Sequence, residues 1–241
     1  MTDTALILLV HGEPKVGKTH LADSMPAPRL ILDAEHGSRF TPSRKVLWNP
    51  AADAPPEPGE WETCVVHVRD FETIAQVFAW LNSGKHPFRS VAFDSLTEIQ
   101  KRCKDGILGT DDVVTERQWG QLLVRMERLV RDFRDLTMHP TRPLVSVVFL
   151  ALTDDRSGKF RPLIQGGLAK SLPGFVDTIG FLAVVDDENG ARTRRLLVSS
   201  HPQFEAGDRT GVFEAARVIE NPNVERMIET LDSKLKERAS G

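Results

Sequence analysis

A phosphate-binding pattern follows the apolar run 5–10 near the start of the chain. Two glycines bracket four residues and a Lys–Thr pair follows. The pattern with its next neighbour comprises Gly12, Glu13, Pro14, Lys15, Val16, Gly17, Lys18, Thr19 and His20. The glycines let the backbone fold closely around an anion, so that successive N–H groups point inward. Lys18 is expected to reach the β- and γ-phosphates of a nucleoside triphosphate, and the Thr19 hydroxyl to bind Mg²⁺. An apolar strand before the turn favours this site over an ordinary strand-to-helix turn.

Two carboxylates are expected to complete the site. Asp94 ends an apolar strand and is predicted to bind Mg²⁺ together with Thr19, with a helix N-cap as its alternative role. Hydrolysis also needs a group that orients water, and Ser95 stands where many P-loop ATPases carry a glutamate. Glu35, just past the second predicted strand, is therefore the candidate, and Glu98 is the second choice. The alternative interpretation of Glu35 is a solvated loop carboxylate.

Composition limits the class of protein. The 241 residues fit one large α/β domain over the whole chain. The net charge of −3 predicts no general electrostatic attraction to nucleic acid. Cys64 and Cys103 lie far apart, which disfavours zinc and indicates a reducing cytoplasm. The first apolar run is too short to span a membrane, so no membrane partner is expected.

The elements that position these residues alternate between strands and helices. Apolar runs predict strands at 5–10, 29–33, 64–68, 90–95, 144–152, 178–185 and 194–199. Helical spacing or capping predicts helices at 18–24, after Asp70, after Asp94, over 119–136 and over 223–238. This alternation predicts a mainly parallel sheet with helices on both faces and the phosphate loop at its carboxyl edge.

Three local features accompany this pattern. The proline-rich segment 42–62 is expected to be a surface excursion. Trp119 keeps the helical spacing of the apolar stripe and is expected in the core. The run Glu188-Asn189-Gly190 is predicted to turn the chain between the last two strands.

Two further segments resemble RecA-type recombinases. The run 32–36, Leu-Asp-Ala-Glu-His, resembles the segment that carries their catalytic glutamate, and Phe93-Asp94-Ser95 resembles their strand-terminal Asp-Ser. The chain from Leu6 to about Leu231, including 174–177, is similar to small phage ATPases of the Sak type, which act in single-strand annealing and recombination. The resemblance implies a RecA-like ATPase core that uses ATP and Mg²⁺ and works in the cytoplasm of a host cell. The γ-phosphate sensor position falls on Thr153 or Asp154.

The same resemblance implies partners. RecA-type proteins hold DNA on loops that follow the Asp-Ser helix and the next strand, and the second such loop, predicted over about 154–172, contains four cations and an aromatic residue. These are Arg156, Lys159, Phe160, Arg161 and Lys170. Cations track phosphates and an aromatic ring stacks a base, although a solvated basic loop is the alternative. A homo-oligomer, ring or filament, with ATP at subunit interfaces is also implied, with Arg209 as the cation supplied in trans. The alternative for Arg209 is an Asp208–Arg209 surface turn without a catalytic role. A single-strand DNA-binding protein is a further partner under this hypothesis.

Other functions share parts of the pattern. A ring-forming DNA motor or helicase loader would have the same fold and is the main alternative. A small-molecule kinase needs an arginine-rich lid, and none is recognisable. A ParA-like ATPase would carry lysine directly after Gly12, where Glu13 stands. A nucleotide-binding module without turnover is the non-enzymatic alternative.

Overall fold

The strands of the computed structural model, which describes residues 4–186 and 190–240, form one sheet. Apolar, β-branched runs bounded by turn residues explain most of them. The strands are β1 Leu6–Gly12, β2 Arg29–Asp33, β3 Lys45–Leu47, β4 Thr63–His67, β5 Ser90–Asp94, β6 Ser146–Arg156, β7 Lys159–Pro162, β8 Thr178–Asp186, β9 Arg192–Leu197, β10 Gly207–Asp208 and β11 Val218–Glu220.

The order of the sheet is β11-β9-β8-β1-β6-β5-β2-β4-β3, with β10 beside β8 and β7 beside β6. Neighbours from β8 to β3 run parallel, whereas β9, β10, β11 and β7 pair antiparallel. Parallel strands end at one edge, and β1, β2 and β5 lie close together in this order. The loops after them, which carry the predicted chemistry, therefore meet at the carboxyl edge.

Helices cover both faces of the sheet, as predicted. They are α1 Lys18–Ala22, α2 Phe71–Leu81, α3 Leu96–Leu108, α4 Glu116–Asp135, α5 Leu168–Ser171 and α6 Val224–Ser240. One buried apolar cluster lies under α2, α3 and α4, and a second lies under α1 and α6. Side chains point alternately to the two faces of a strand, so each central strand supplies both clusters and its sequence is apolar throughout. No helix in the described part of the chain is long and apolar enough to cross a membrane.

Three sequence predictions differ from the structure. Its helical spacing predicts Trp119 in the core, but the residue is 38% exposed, because the buried stripe of α4 begins one turn later, at Leu122. The segment 42–62 is not only a surface excursion, since it contributes the edge strand β3 and the buried Trp48. The predicted loop 154–172 instead contains the β6–β7 hairpin, whose turn residues Ser157 and Gly158 have positive φ angles of 57° and 78°.

The last two strands of the prediction, now β8 and β9, do pair antiparallel. Of the predicted turn Glu188-Asn189-Gly190, the first two residues lie outside the described residues.

Candidate active site

The phosphate-binding loop connects the end of β1 with the start of α1. Two of its residues have left-handed backbone conformations, Lys15 with φ 68° and Gly17 with φ 98°. Gly12 lies against the neighbouring strand, because a Cβ built on it would be 2.4 Å from the carbonyl oxygen of Leu182. Glycine is required at 17 for conformation and at 12 for space. The turn is therefore fixed by backbone packing.

Lys18 lies inside this turn. Its Nζ donates to the carbonyl oxygens of Gly12 and Glu13, both at 2.9 Å. Burial lowers the pKa of Lys18, while the carboxylates of Glu35, Asp94 and Glu13 act in the opposite direction. The ammonium group is thus held across the loop by two carbonyls, where an anion bound in the loop would meet it.

Thr19 and Asp94 form the predicted metal-binding pair. The Thr19 hydroxyl donates to Asp94 Oδ2 at 2.6 Å. Gly37 borders the pair, because a Cβ built there would lie 3.1 Å from Thr19 Oγ1 and 3.6 Å from Asp94 Oδ2. Among the described residues no group of three or more His, Cys, Asp or Glu forms a metal cage. One hydroxyl and one carboxylate fit Mg²⁺, which retains water and takes further oxygens from substrate phosphates.

The electrostatics of Asp94 suit a cation. Its side chain is almost fully buried, and this burial raises its pKa to about 7, with the charges of Asp33 and Glu35 acting in the same direction. The hydrogen bond from Thr19 and the charge of Lys18 oppose the shift. A divalent cation beside the carboxylate would favour its ionised form.

Glu35 lies beside this pair, across from Ser95. The Ser95 hydroxyl donates to Glu35 Oε1 and also caps α3 by accepting from the Glu98 N–H at 3.3 Å. Ser95, and not Asp94, is therefore the N-cap of α3. Glu98 is turned toward its own helix, where it lies 3.4 Å from both Lys101 and Arg102. Glu35, exposed at the edge of the site, is the freer of the two predicted glutamates.

Asp33, which the sequence analysis did not single out, shapes the loop that carries Glu35. Its fully buried carboxylate accepts from the backbone N–H of Glu35 at 3.1 Å and of Ser38 at 3.0 Å, and from the Ser38 hydroxyl. Arg102 supports the same loop by donating to the carbonyl of Ala34 at 2.9 Å. The signal available in the sequence was an acid at the end of a predicted strand, Asp33, with a possible hydrogen-bond donor, Ser38, five residues later.

His11 is a second residue that sequence reasoning missed. It is fully buried at the end of β1, with Nε2 2.7 Å from the carbonyl oxygen of Glu205 and Nδ1 3.0 Å from Thr153 Oγ1. Burial lowers the pKa of His11 to about 4. The carbonyl only accepts, so Nε2 of the neutral ring donates to it and Nδ1 accepts from Thr153. The proposed sensor position Thr153 is therefore tied to the strand that enters the phosphate loop.

The residues predicted to bind DNA lie around the β6–β7 hairpin, which extends past the carboxyl end of β1. Arg156 pairs with Asp154 at 2.6 Å, and Arg161 lies 3.7 Å from Glu205. The ring of Phe160 stacks on Phe204 at a centroid distance of 5.1 Å. Lys159 shares β7 with Phe160 and Arg161, while Lys170 lies on the short helix α5.

Arg209 lies near the amino end of β1, at the side of the sheet opposite the carboxyl edge that carries the phosphate loop. It donates to the carbonyls of Gly174 and Val176, and its Nε is 3.7 Å from Asp177 Oδ1. The Asp177 side chain in turn accepts from the backbone N–H of Ile7 at 2.9 Å, near the start of β1. Five residues of extended strand, roughly 17 Å, separate Ile7 from the phosphate loop.

Comparison with known proteins gives one family. The sequence profile described as an AAA domain matches residues 4–210. No curated protein matches the chain. Among solved structures, a prototypical ATPase from the type III secretion system of pathogenic bacteria is 12% identical, with a TM-score of 0.45. That comparison covers 75% of this chain and 52% of the other, so the chain spans about half of that protein's length.

Proposed function

The chain belongs to the AAA domain family and is a P-loop ATPase, and from this premise we propose that it acts on single-stranded DNA in recombination or annealing, like the small phage ATPases of the Sak type. The observation that carries the DNA part is the β6–β7 hairpin. It presents cations and a stacked aromatic ring beyond the sheet edge that holds the phosphate loop.

The hydrolytic step follows from the geometry of the loop. Lys18 stabilises charge on the β- and γ-phosphates of ATP, and the backbone N–H groups of the loop hold the same anion. Thr19 and Asp94 would hold Mg²⁺, which supplies charge neutralisation at the phosphates when bound. Glu35 orients the attacking water and accepts its proton, while Ser95 positions the carboxylate.

The DNA surface combines charge with a ring platform. Phe204 stacks between Phe160 and Phe181, with centroid distances of 5.1 Å and 4.4 Å. All three rings are half-buried, which leaves part of each available to a ligand. Aromatic rings stack on bases without regard to sequence, and Lys159 on the same hairpin would contact a phosphate. This chemistry fits single strands better than duplex DNA, whose bases are already stacked.

The test is ATP hydrolysis with and without single-stranded DNA, together with DNA affinity over a salt series. We expect stimulation by DNA, and a slope of log K against log salt that decreases by about 0.7 when one phosphate contact is removed in Lys159→Gln. Lys234→Gln, an exposed lysine on α6, is the matched control and should keep the wild-type slope. Unchanged affinity and slope in a variant without Arg156, Lys159 and Arg161 would place any DNA site elsewhere.

The active assembly under this proposal is a homo-oligomer with ATP at subunit interfaces. Arg209 lies at the amino end of β1, away from its own phosphate loop, so any contact with ATP must be made in a neighbouring subunit. Mixing Arg209→Ala with Lys18→Ala should restore some activity, because some interfaces then pair an intact loop with an intact arginine. Absence of complementation in mixtures that demonstrably co-assemble would remove Arg209 from catalysis.

A further inference from the structure

A cation that no sequence motif marks lies directly over the phosphate loop. A Cβ built on Gly17 would be 2.4 Å from Nε of Arg194 and 2.9 Å from its Cζ. Such separations are below van der Waals contact, so the guanidinium occupies the space that a side chain at 17 would need. Arg194 therefore touches the loop immediately before Lys18, although it lies 177 positions after Gly17 in the sequence.

The register of the sheet places Arg194 there. β9 pairs with β8, with Arg194 opposite Val184, and β8 pairs with β1. Leu196, two residues after Arg194, is buried in the cluster that contains Leu21 of α1. Residues i and i+2 of a strand share a face, so Arg194 continues this face toward the carboxyl edge. Its position thus rests on strand pairing.

The charge environment of Arg194 differs from that of its neighbours on β9. Arg192 lies 3.4 Å from Asp186, and Arg195 lies 3.0 Å from Glu220. For Arg194, none of the carboxylates in 4–186 and 190–240 lies within ion-pair distance, and the nearby loop contains two further cations, Lys15 and Lys18, and one carboxylate, Glu13. Three cations against one carboxylate leave a net positive charge at this loop, which favours an anion.

We propose that Arg194 binds the phosphate chain of the nucleotide held in the loop of its own subunit. The guanidinium presents several N–H donors in a planar fork, which suits phosphate oxygens better than a single ammonium group does. Arg194 is half of a cis-acting clamp whose other half is Lys18. This inference rests on the ATPase assignment and is independent of DNA binding and of Arg209.

The test is nucleotide binding without DNA, measured with a fluorescent ATP analogue and by its displacement with inorganic tripolyphosphate. Loss of a charged hydrogen bond in Arg194→Gln should weaken the binding of both ligands about 10-fold, or about 1.4 kcal/mol. Arg192→Gln, on the same strand and with its side chain 79% exposed, is the matched control and should bind both ligands as the wild type does. Arg194→Lys, which keeps the charge without the fork, should recover part of the loss.

Two results would overturn the proposal. One is wild-type affinity for both ligands in Arg194→Gln. The other is weaker binding of the ATP analogue with unchanged binding of tripolyphosphate, which would mean that the guanidinium contacts the base or the ribose. Urea unfolding without nucleotide checks that each variant is folded. If Arg194→Gln does not fold, the binding of both ligands by Arg194→Lys is compared with that of the wild type instead. Failure of DNA to stimulate hydrolysis would contradict the proposed function and leave this result intact.

Discussion

The buried histidine at the end of β1 should make the protein sensitive to acid. His11 is fully buried between Thr153 and the carbonyl of Glu205, and burial lowers its pKa from 6.5 to about 4. Between pH 6.5 and about pH 4, His11 is therefore mostly neutral in the folded chain and mostly protonated in the unfolded chain. The stability contributed by neutral His11 is complete above pH 6.5 and is lost as the pH falls toward 4.

The size of the stability loss at low pH follows from the pKa shift of His11. One pKa unit corresponds to about 1.4 kcal/mol, and the unfolded histidine is almost fully protonated at about pH 5 while the folded one is not. The free energy of unfolding should therefore decrease by about 2 kcal/mol between pH 7 and pH 5 because of His11 alone. His11→Asn loses two hydrogen bonds, which lowers stability at pH 7 by about 1–3 kcal/mol but removes this pH-dependent part.

Urea unfolding of the nucleotide-free protein at pH 7 and pH 5 measures the difference. The wild type should lose about 2 kcal/mol more than His11→Asn over this interval. His86, also buried and with its pKa lowered to about 4, remains in both proteins and contributes equally to both curves. Parallel loss of stability in the two proteins would refute the assignment of a neutral, buried His11.

Two further predictions concern the carboxyl edge of the sheet. Glu35→Gln should bind ATP but hydrolyse it about 10²-fold more slowly, whereas Glu98→Gln should remain active, and the opposite result would exchange their roles. Gly37→Ala should raise the Mg²⁺ concentration for half-maximal activity about 10-fold, because its Cβ would lie 3.1 Å from Thr19 Oγ1. Gly120→Ala on α4, where a Cβ has nothing within 4 Å, is the control and should not change the Mg²⁺ requirement.

Much of the fold was accessible from local patterns. The second strand, predicted over 29–33, is β2 with the same bounds, because a short apolar run ends in a charged residue at each side. The helix after Asp70 begins where its side chain accepts from the Thr73 N–H, which is the capping chemistry that the sequence predicted. The phosphate loop was recognisable because its pattern lies within eight consecutive residues, and local backbone geometry requires the glycine at position 17.

Features that depend on distant contacts were not accessible. The contact of Arg194 with Gly17 requires the pairing of β9 with β8 and of β8 with β1, and no local pattern reports it. Trp119 kept the spacing of a core residue, but the packing partners of α4 begin only at Leu122. The polar residues of the β6–β7 hairpin predict a loop, whereas pairing of Asp155 with Phe160 makes this segment an extension of the sheet.

We propose that the loop 12–19 binds and hydrolyses ATP through Lys18, which is held there by the carbonyls of Gly12 and Glu13. The most direct measurement is steady-state ATP hydrolysis by the wild type and by Lys18→Ala, with urea unfolding of both as the control. We predict turnover in the wild type and none in a Lys18→Ala protein that unfolds cooperatively. Wild-type turnover in that folded variant would contradict the assignment of the site.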